Sequence, residues 1–535
     1  MAVSEDRKYT KAYIYNLLEG VKGKTLAEVD SSHQLERTIA NPKITGIAGD
    51  IIEQSVFGYQ RDHAQECDIE IDGVLTELKT TGVRVPKKEA KLVKGKIGDA
   101  YNKHLAAKEG VTITNVTFEP TYQKDFMTSH FWEKSEHILF VFYEYKSYAT
   151  VLASEYADFP IVDYCYNKFQ DDDLKRLKCD WEVVRDYLKK IYESYSTQAE
   201  RYKHLDGFTH ELRPKLSCTE LVPSFKFSEE KNQAVQKPRY RLKKTFVDYI
   251  VRGHFDKSRA HSEVKLKESF DSFDSLDARC HLLAEKYKGT TLQQFHDVYH
   301  VKGSINDKNF AEKCVLFMFA TEAKKLNSIA DFNKCGIIAK TITLKPGGKR
   351  TEDMKLQHID FEEWGSRNQE FEESDVYSYF CEHSFLCPVF CERGKTERMK
   401  CDTSDLKEAE DKRVLEEIGK TTFEGFKRFA FDDKFIDQEV KRTWSDSRSL
   451  IFNHELKWEY VLDKNGNKKQ NKSGSYMGAP NFPKSAEYQV FFRGGQADSS
   501  DKYRIEEVNC IKMLPQYFWL KGTYIADKLK EIAYL

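Results

Sequence analysis

The 535-residue sequence has almost no net charge: 85 lysines and arginines stand against 86 aspartates and glutamates. No global field therefore draws the chain to polyanions, and any contact with nucleic acid must come from local basic patches. No apolar run is long enough for a membrane span, and the first ten residues are polar, unlike a secretory leader. Nor do the 12 cysteines form a framework. They are scattered, which suits a reducing compartment. The one cluster, Cys381, Cys387, Cys391 and Cys401, fits no usual zinc spacing and reads as core thiols. With 40% hydrophobic and 13% aromatic residues the chain is globular, and its length allows two to four domains.

Against these absences one stretch stands out, Cys67 to Thr81. Apolar and polar residues alternate at period two on both sides of Asp72-Gly73, a dipeptide that favours a tight hairpin. Ile69 and Ile71 face one side, with Asp68 and Glu70 on the other. Leu78 points into a core, so Glu77 and Lys79 share the opposite face. A hairpin thus gathers Asp68, Glu77 and Lys79. Two carboxylates suit a hard divalent cation such as magnesium, which keeps waters and takes further ligands from a phosphate. An ammonium beside them can acidify a bound water or steady a pentacovalent phosphorus. An isolated triplet of this kind is more often a solvated edge strand; the rest of the chain decides the matter.

Residues 8–29 read as two short helices around a Lys-Gly break, and residues 43–58 as a helix carrying Glu53 and ending at Gly58. Basic runs follow: Arg84 to Lys96, Arg213-Pro214-Lys215, and Arg239 to Lys244. Such runs are usually solvated faces, but beside a metal hairpin they suit a phosphate backbone. From about residue 270 the same signals return in the same order, about 261 to 280 residues on. Lys22-Gly23-Lys24-Thr25-Leu26 is matched by Lys288-Gly289-Thr290-Thr291-Leu292, and Glu77-Leu78-Lys79-Thr80 by Ile338-Ala339-Lys340-Thr341. Arg213-Pro214-Lys215 is matched by Arg493-Gly494-Gly495, and Leu242 to Phe246 by Leu520 to Tyr524. The order implies a duplicated domain. The second copy lacks the chemistry: Ile338 replaces Glu77, Phe380 replaces Lys134, and Val315 to Ala320 carries no carboxylate. Lys340 remains, and Asp331 is the candidate match to Asp68.

These residues together resemble the MutH endonuclease family and, over nearly the whole length, the two-domain GATC-cutting type II restriction endonucleases of the Sau-three-A-I type. The matches are Gly49-x-x-x-Glu53, Asp68…Glu77-x-Lys79, Thr128-Ser129-His130-x-x-x-Lys134, Arg213-Pro214-Lys215 and Leu242-Lys243-Lys244-x-Phe246. The resemblance implies an α/β chain of two tandem PD-(D/E)xK restriction-endonuclease-like domains, each a mixed sheet flanked by helices. The expected parts are a catalytic domain at 1–255, a linker at 256–269 and a degenerate, DNA-binding domain at 270–535.

In this reading Asp68 and Glu77 bind Mg2+, Lys79 assists the attacking water, Glu53 completes the acidic cluster, and Lys134 sits by the scissile phosphate. The hairpin leaves Glu70 and Asp72 open as alternative first ligands. His130 reads as a packing or orienting residue. Lys215, Lys243, Lys244 and Lys521 are expected on phosphates; Arg213 and Arg493 are expected to read guanine or hold a phosphate. The implied function is magnesium-dependent cleavage of double-stranded DNA at GATC by a bacterial, cytoplasmic monomer that dimerises on DNA. A cognate methyltransferase would act on the same site without binding the chain. The alternatives are a methylation-directed nicking enzyme of mismatch repair and a non-cleaving, site-specific DNA-binding regulator.

Overall fold

The computed structural model describes residues 7–59, 66–116, 123–197, 200–201, 204, 211–222, 225–228, 233–236, 238–258, 264–399, 403–496 and 500–535. Part of the expected linker (259–263) and Cys401 lie outside these residues. The chain is mixed α/β and forms two compact units, which are not two contiguous halves. Unit 1 holds 1–147, 151–276 and 327–337; unit 2 holds 148–150, 277–326 and 338–535.

Unit 1 is built on a sheet with the path β1 (Lys8–Tyr9), β2 (Ile69–Ile71), β3 (Val74–Arg84), β6 (His137–Glu144) and β7 (Ile161–Lys168), with β4 (Ala106–Ala107) on the end of β3. Asp72 and Gly73 take φ of +49° and +82°, the left-handed pair that a two-residue hairpin turn requires, and β2 and β3 pair antiparallel from Ile71↔Val74 to Ile69↔Thr76. β3 then runs parallel to β6 from Glu77↔Ile138 onward. Ile138 to Phe142 are fully buried, which is why β6 is an unbroken apolar run: it is central and covered on both faces. Helix residues Ile14, Leu18, Leu26, Ile47, Ile51 and Ile52 pack on one face with Leu139, Val141 and Tyr143. A second sheet, β5 (Val111–Asn115), β11 (Arg239–Leu242) and β8 (Thr219–Val222), is antiparallel. A hairpin of β9 (Phe225–Ser228) and β10 (Gln233–Gln236) lies between β8 and β11 in sequence.

Unit 2 has its own core around Trp364, Phe380, Phe385, Phe431, Phe492 and Phe518. Its first sheet joins β12 (Ile337–Ala339) and β13 (Ile342–Leu344) to β15 (Ser384–Cys391), with β16 (Thr422–Phe429) antiparallel on β15. Its second joins β14 (Met354–His358), β22 (Gln516–Leu520) and β19 (Val490–Gly494), all antiparallel. Two small hairpins, β17 (Trp458–Tyr460) with β18 (Gly478–Pro480) and β20 (Glu506–Val508) with β21 (Ile511–Met513), complete it.

Several details of unit 1 recur in unit 2. Gly23, at φ +83°, donates to the Ile161 carbonyl at 2.7 Å and Leu26 to Phe159 at 3.0 Å; Gly289, at φ +81°, donates to Phe423 at 2.8 Å and Leu292 to Thr421 at 2.9 Å. Thr25 and Thr291 each form a capping box at the helix that follows. The register shifts at Phe142/Tyr143 between β6 and β7, and at Val389/Phe390 between β15 and β16. Lys243 and Lys521 each precede a helix, with their N–H groups on Cys218 and Gln489, both at 2.9 Å.

Candidate active site

β2 and β3 stop pairing beyond Ile69↔Thr76, so the Leu78 N–H needs another acceptor. The Asp68 carboxylate provides it, Oδ2 accepting at 2.9 Å. Two residues apart on β3, Glu77 and Lys79 share a face, and the Lys79 Nζ lies 2.6 Å from Glu77 Oε1. Lys134 comes from the short helix His130–Glu133, whose N-terminus is capped by Ser129 Oγ accepting from the Trp132 N–H at 3.1 Å. Its ammonium reaches both Glu77 oxygens, at 2.9 and 3.1 Å. Glu77 is 1% exposed and Lys134 8%. Glu53 sits on a π-helical turn, Ile52–Val56, that continues the helix Ile47–Ile51. Such a widened turn re-aims a side chain and is frequent at functional sites.

The electrostatics tie these groups together. Burial, then the Glu77 charge, hold the Asp68 carboxyl above its usual range against the opposing pull of Lys79, Lys134 and the Leu78 N–H. Burial alone would lower the Lys79 ammonium, but the carboxylates of Glu77, Asp68 and Glu53 outweigh it and the net shift is upward. Lys79 therefore stays protonated at neutral pH. Among the described residues no three acid, histidine or cysteine side chains converge into a ready metal cage. The donor set nonetheless suits a cation of the magnesium kind, which needs only one or two carboxylates and fills its shell with water and phosphate. Asp68, pushed towards protonation by an acidic neighbour, is the group such a cation would relieve.

The alternatives within the hairpin are engaged elsewhere. Glu70 pairs with Lys8 at 3.4 Å, and Asp72 sits in the turn, accepting from the Lys11 N–H at 3.3 Å. His130 is half-buried, 3.5 Å from Glu133, with its imidazole held below its ordinary value by burial.

Two residues went unread in the sequence. Tyr59 is buried with no hydrogen-bond partner on its hydroxyl, and burial together with Asp68 and Glu53 raises its phenol well above the usual value. Asp180, buried on the helix Asp171–Ser194 among Leu177, Trp181 and Val184, accepts from the N–H groups of Ser217 (2.8 Å), Cys218 (2.9 Å) and Thr219 (2.8 Å) and from both hydroxyls. It thereby fixes the chain just after Arg213-Pro214-Lys215. A carboxylate on an apolar helical stripe was the available signal.

The expected DNA contacts separate. Lys215 is exposed, and Arg213 and Lys244 are half-buried with their own partners. Lys243 corrects the expectation of a phosphate contact: it is 2% exposed, and its ammonium donates to the Leu216 carbonyl at 2.7 Å. Arg493 is exposed, bound to Asp353 at 2.6 Å and stacked on Trp519. Lys521 is half-buried at its helix start. The pairing of Arg213 with Arg493 is also corrected. Leu242 opposes Thr219 and Leu520 opposes Val490, so counting back along the chain sets Lys484, not Arg493, against Arg213.

In unit 2 the strand registers (Thr81↔Phe142 and Ile342↔Val389, each next to its bulge) set Ile338 against Glu77 and Lys340 against Lys79. Lys340 has Ile338, not a carboxylate, two positions before it. Its ammonium donates to the Lys355 carbonyl at 2.8 Å, and burial lowers it below the ordinary lysine range. Phe380 is fully buried in the core. Asp331 is not a counterpart of Asp68: it belongs to unit 1, bound by Arg176 at 2.7 Å and by the Leu266 N–H at 3.0 Å.

The sheet brings Asp68 beside Glu77 and Lys79, with Lys134 on the same glutamate, a cluster whose charges suit phosphodiester hydrolysis. Residues 57–180 match the family of the DNA mismatch repair enzyme MutH; the match contains Asp68, Glu77, Lys79 and Lys134 and begins after Glu53. The chain is also 23% identical over 458 residues to the type II restriction enzyme Sau3AI of Staphylococcus aureus, covering 82% of this chain and 79% of the relative. The chain is a site-specific deoxyribonuclease, similar to MutH over residues 57–180 and to Sau3AI over most of its length. No helix among the described residues is long and apolar enough to cross a membrane.

Proposed function

We propose that the chain is a type II restriction endonuclease that hydrolyses double-stranded DNA at 5'-GATC-3' with Mg2+, in the bacterial cytoplasm. The observation that carries this is the buried Glu77 carboxylate held by both Lys79 and Lys134 beside Asp68. Asp68 and Glu77 would hold the ion, with Glu53 adding negative charge. The bound ion would supply an activated water and countercharge for the phosphate. Lys79, kept protonated by its carboxylates, orients and acidifies the attacking water as a fixed cation rather than as a base. Lys134, at the end of its helix, is the second cation on Glu77 and would reach the phosphate only by exchanging part of that contact for it. Arg213 and Lys215, fixed through Asp180, are candidates for DNA contact, with Lys244 beside them.

Unit 2 reads as a degenerate copy that binds without cutting. The recurring glycine turn, capping box, bulge and pre-helix lysine support the duplication, and the stranded Lys340 supports the loss of chemistry. One catalytic centre per chain then requires a dimer on DNA to cut both strands. A partner methyltransferase would protect the same site.

Digestion of a plasmid with Mg2+ followed by sequencing of the ends tests this reading. Uniform double-strand ends at GATC are expected. Nicks alone would favour a repair enzyme, and intact DNA a non-cleaving regulator.

A further inference from the structure

Unit 2 carries a projecting arm that neither the catalytic hairpin nor the sheets require. β17 and β18 form its base, and the intervening chain turns back on itself twice. Val461 donates to the Met477 carbonyl at 2.9 Å, Lys469 to Val461 at 2.8 Å and Met477 to Lys469 at 2.7 Å, so three short stretches are laced together. Leu462↔Lys468 and Gln470↔Tyr476 are bridged as well. Both tips are locked. Asp463 Oδ1 accepts from Asn465 (2.8 Å) and Asn467 (2.9 Å), with Gly466 at φ +82°; Asn471 Oδ1 accepts from Ser473 and Ser475, both at 3.0 Å, with Gly474 at φ +81°. Yet residues 459–470 are exposed without interruption.

We propose that this arm, residues 457–480, is a DNA-docking ribbon that engages the phosphate backbone of the duplex beside a groove. This rests on the reading of the chain as a DNA endonuclease. Three properties point to a polyanion. Within residues 457–476 five lysines stand against two acids, in a chain whose overall charge is −1. Lys464, Lys468, Lys469 and Lys472 are all exposed. The apolar groups left in water, Tyr460, Val461, Leu462 and Tyr476 at 42–56% exposure, lie among those lysines. The Lys468 ammonium sits 3.8 Å over the Tyr460 ring and 5.9 Å from that of Tyr476, so cation and aromatics form one surface. A β-ribbon is narrow enough to enter a major groove, and locked turns spare the ordering entropy that a flexible basic tail would lose. A protein partner would call for fewer lysines, which are depleted at protein interfaces.

The test uses the full chain. Lys464, Lys468, Lys469 and Lys472 are changed together to Gln, and in a second variant together to Arg. Binding of a fluorescent duplex carrying GATC is measured by anisotropy in Ca2+ across a KCl series. The Gln variant is expected to bind at least tenfold more weakly at 100 mM KCl, with a salt slope shallower by roughly 2–4, while the Arg variant keeps both values. Thermal melting identifies a misfolded Gln variant, in which case two paired variants, Lys464→Gln with Lys468→Gln and Lys469→Gln with Lys472→Gln, decide: weaker binding with a shallower slope upholds the contact, and unchanged affinity and slope in both overturns it. Unchanged slope and affinity in a folded Gln variant would also overturn the arm. Plasmid cleavage by the unaltered chain separates this failure from failure of the endonuclease reading, since cleavage would persist in the first case and be missing in the second.

Discussion

Replacing Glu77 with Gln tests the site at its densest point. The substitution keeps shape and removes one charge. In the folded chain that charge is 1% exposed and holds two ammonium groups, Lys79 at 2.6 Å and Lys134 at 2.9 Å. Gln leaves Asp68 as a carboxylate that both Lys79 and Lys134 feel, and Asp68 is already occupied by the Leu78 N–H. Breaking a buried ion pair by removing one partner costs about 3–5 kcal/mol, because the remaining charge stays desolvated. Urea denaturation without divalent metal, followed by the fluorescence of the buried Trp132 and Trp181, should show a loss of that size in the transition of unit 1. Cleavage should be lost in parallel, since a single preorganised electrostatic group is worth about 2.7–4 kcal/mol of barrier. Lys134→Met should restore much of the stability to Glu77→Gln and none of the activity. A Glu77→Gln chain with an unchanged midpoint, or one that cuts DNA normally, would refute the assignment of Glu77 as the shared anion of the site.

Lys340→Met in unit 2 should change stability by no more than about 1 kcal/mol and leave cleavage intact, because one hydrogen bond to a carbonyl is exchanged for relief of a buried cation; a loss of cleavage would show that the second copy retains chemistry. Asp180→Ala should cost at least about 3 kcal/mol by stranding three buried N–H groups, measured by urea denaturation, and Asp180→Asn should lose less. His254, 3.1 Å from Asp163, is raised to about 9: burial pulls it down, but hydrogen bonds to Asp163 and Cys165 prevail. Its folded value lies above the ordinary histidine value of about 6.5, so its contribution is complete below that pH and fades as pH rises through 9. Stability should fall by about 2–3 kcal/mol between pH 6.5 and 9.5, and His254→Gln should flatten that slope; a parallel slope in both chains would exclude the pair as its source.

The hairpin that gathers Asp68, Glu77 and Lys79 was legible because its determinants are local. Alternation fixes the faces, Asp72-Gly73 fixes the turn, and a spacing of two residues puts Glu77 beside Lys79. What the sequence left open depends on partners far along the chain. Asp68 and Glu70 share a face, and only Lys8, 62 positions before Glu70, draws the latter away. Lys243 reads correctly as the start of a helix, but its burial comes from Leu216, which no periodicity announces. Arg493 was matched to Arg213 by motif order, whereas strand register, a stricter guide, sets Lys484 in that region.

The two lysines at matched register positions show how much one neighbouring carboxylate decides. A buried ammonium needs an anion or must shed its proton, and in unit 1 three carboxylates raise Lys79 against the effect of burial. With Ile338 in place of Glu77, the lysine at the same strand position in unit 2 donates to a backbone carbonyl, and burial lowers Lys340 against the weaker upward pull of Cys387 and Glu312. A carbonyl dipole can satisfy one N–H, but it supplies neither the charge to hold a divalent ion nor the field to keep a lysine cationic near a phosphate. In the proposed reading, one substitution from carboxylate to alkyl would remove a metal ligand and the anion that raises the neighbouring lysine together, while leaving the strand and its register in place. On that reading, the separation would let a sheet serve as a scaffold carrying an exposed basic arm without a catalytic face.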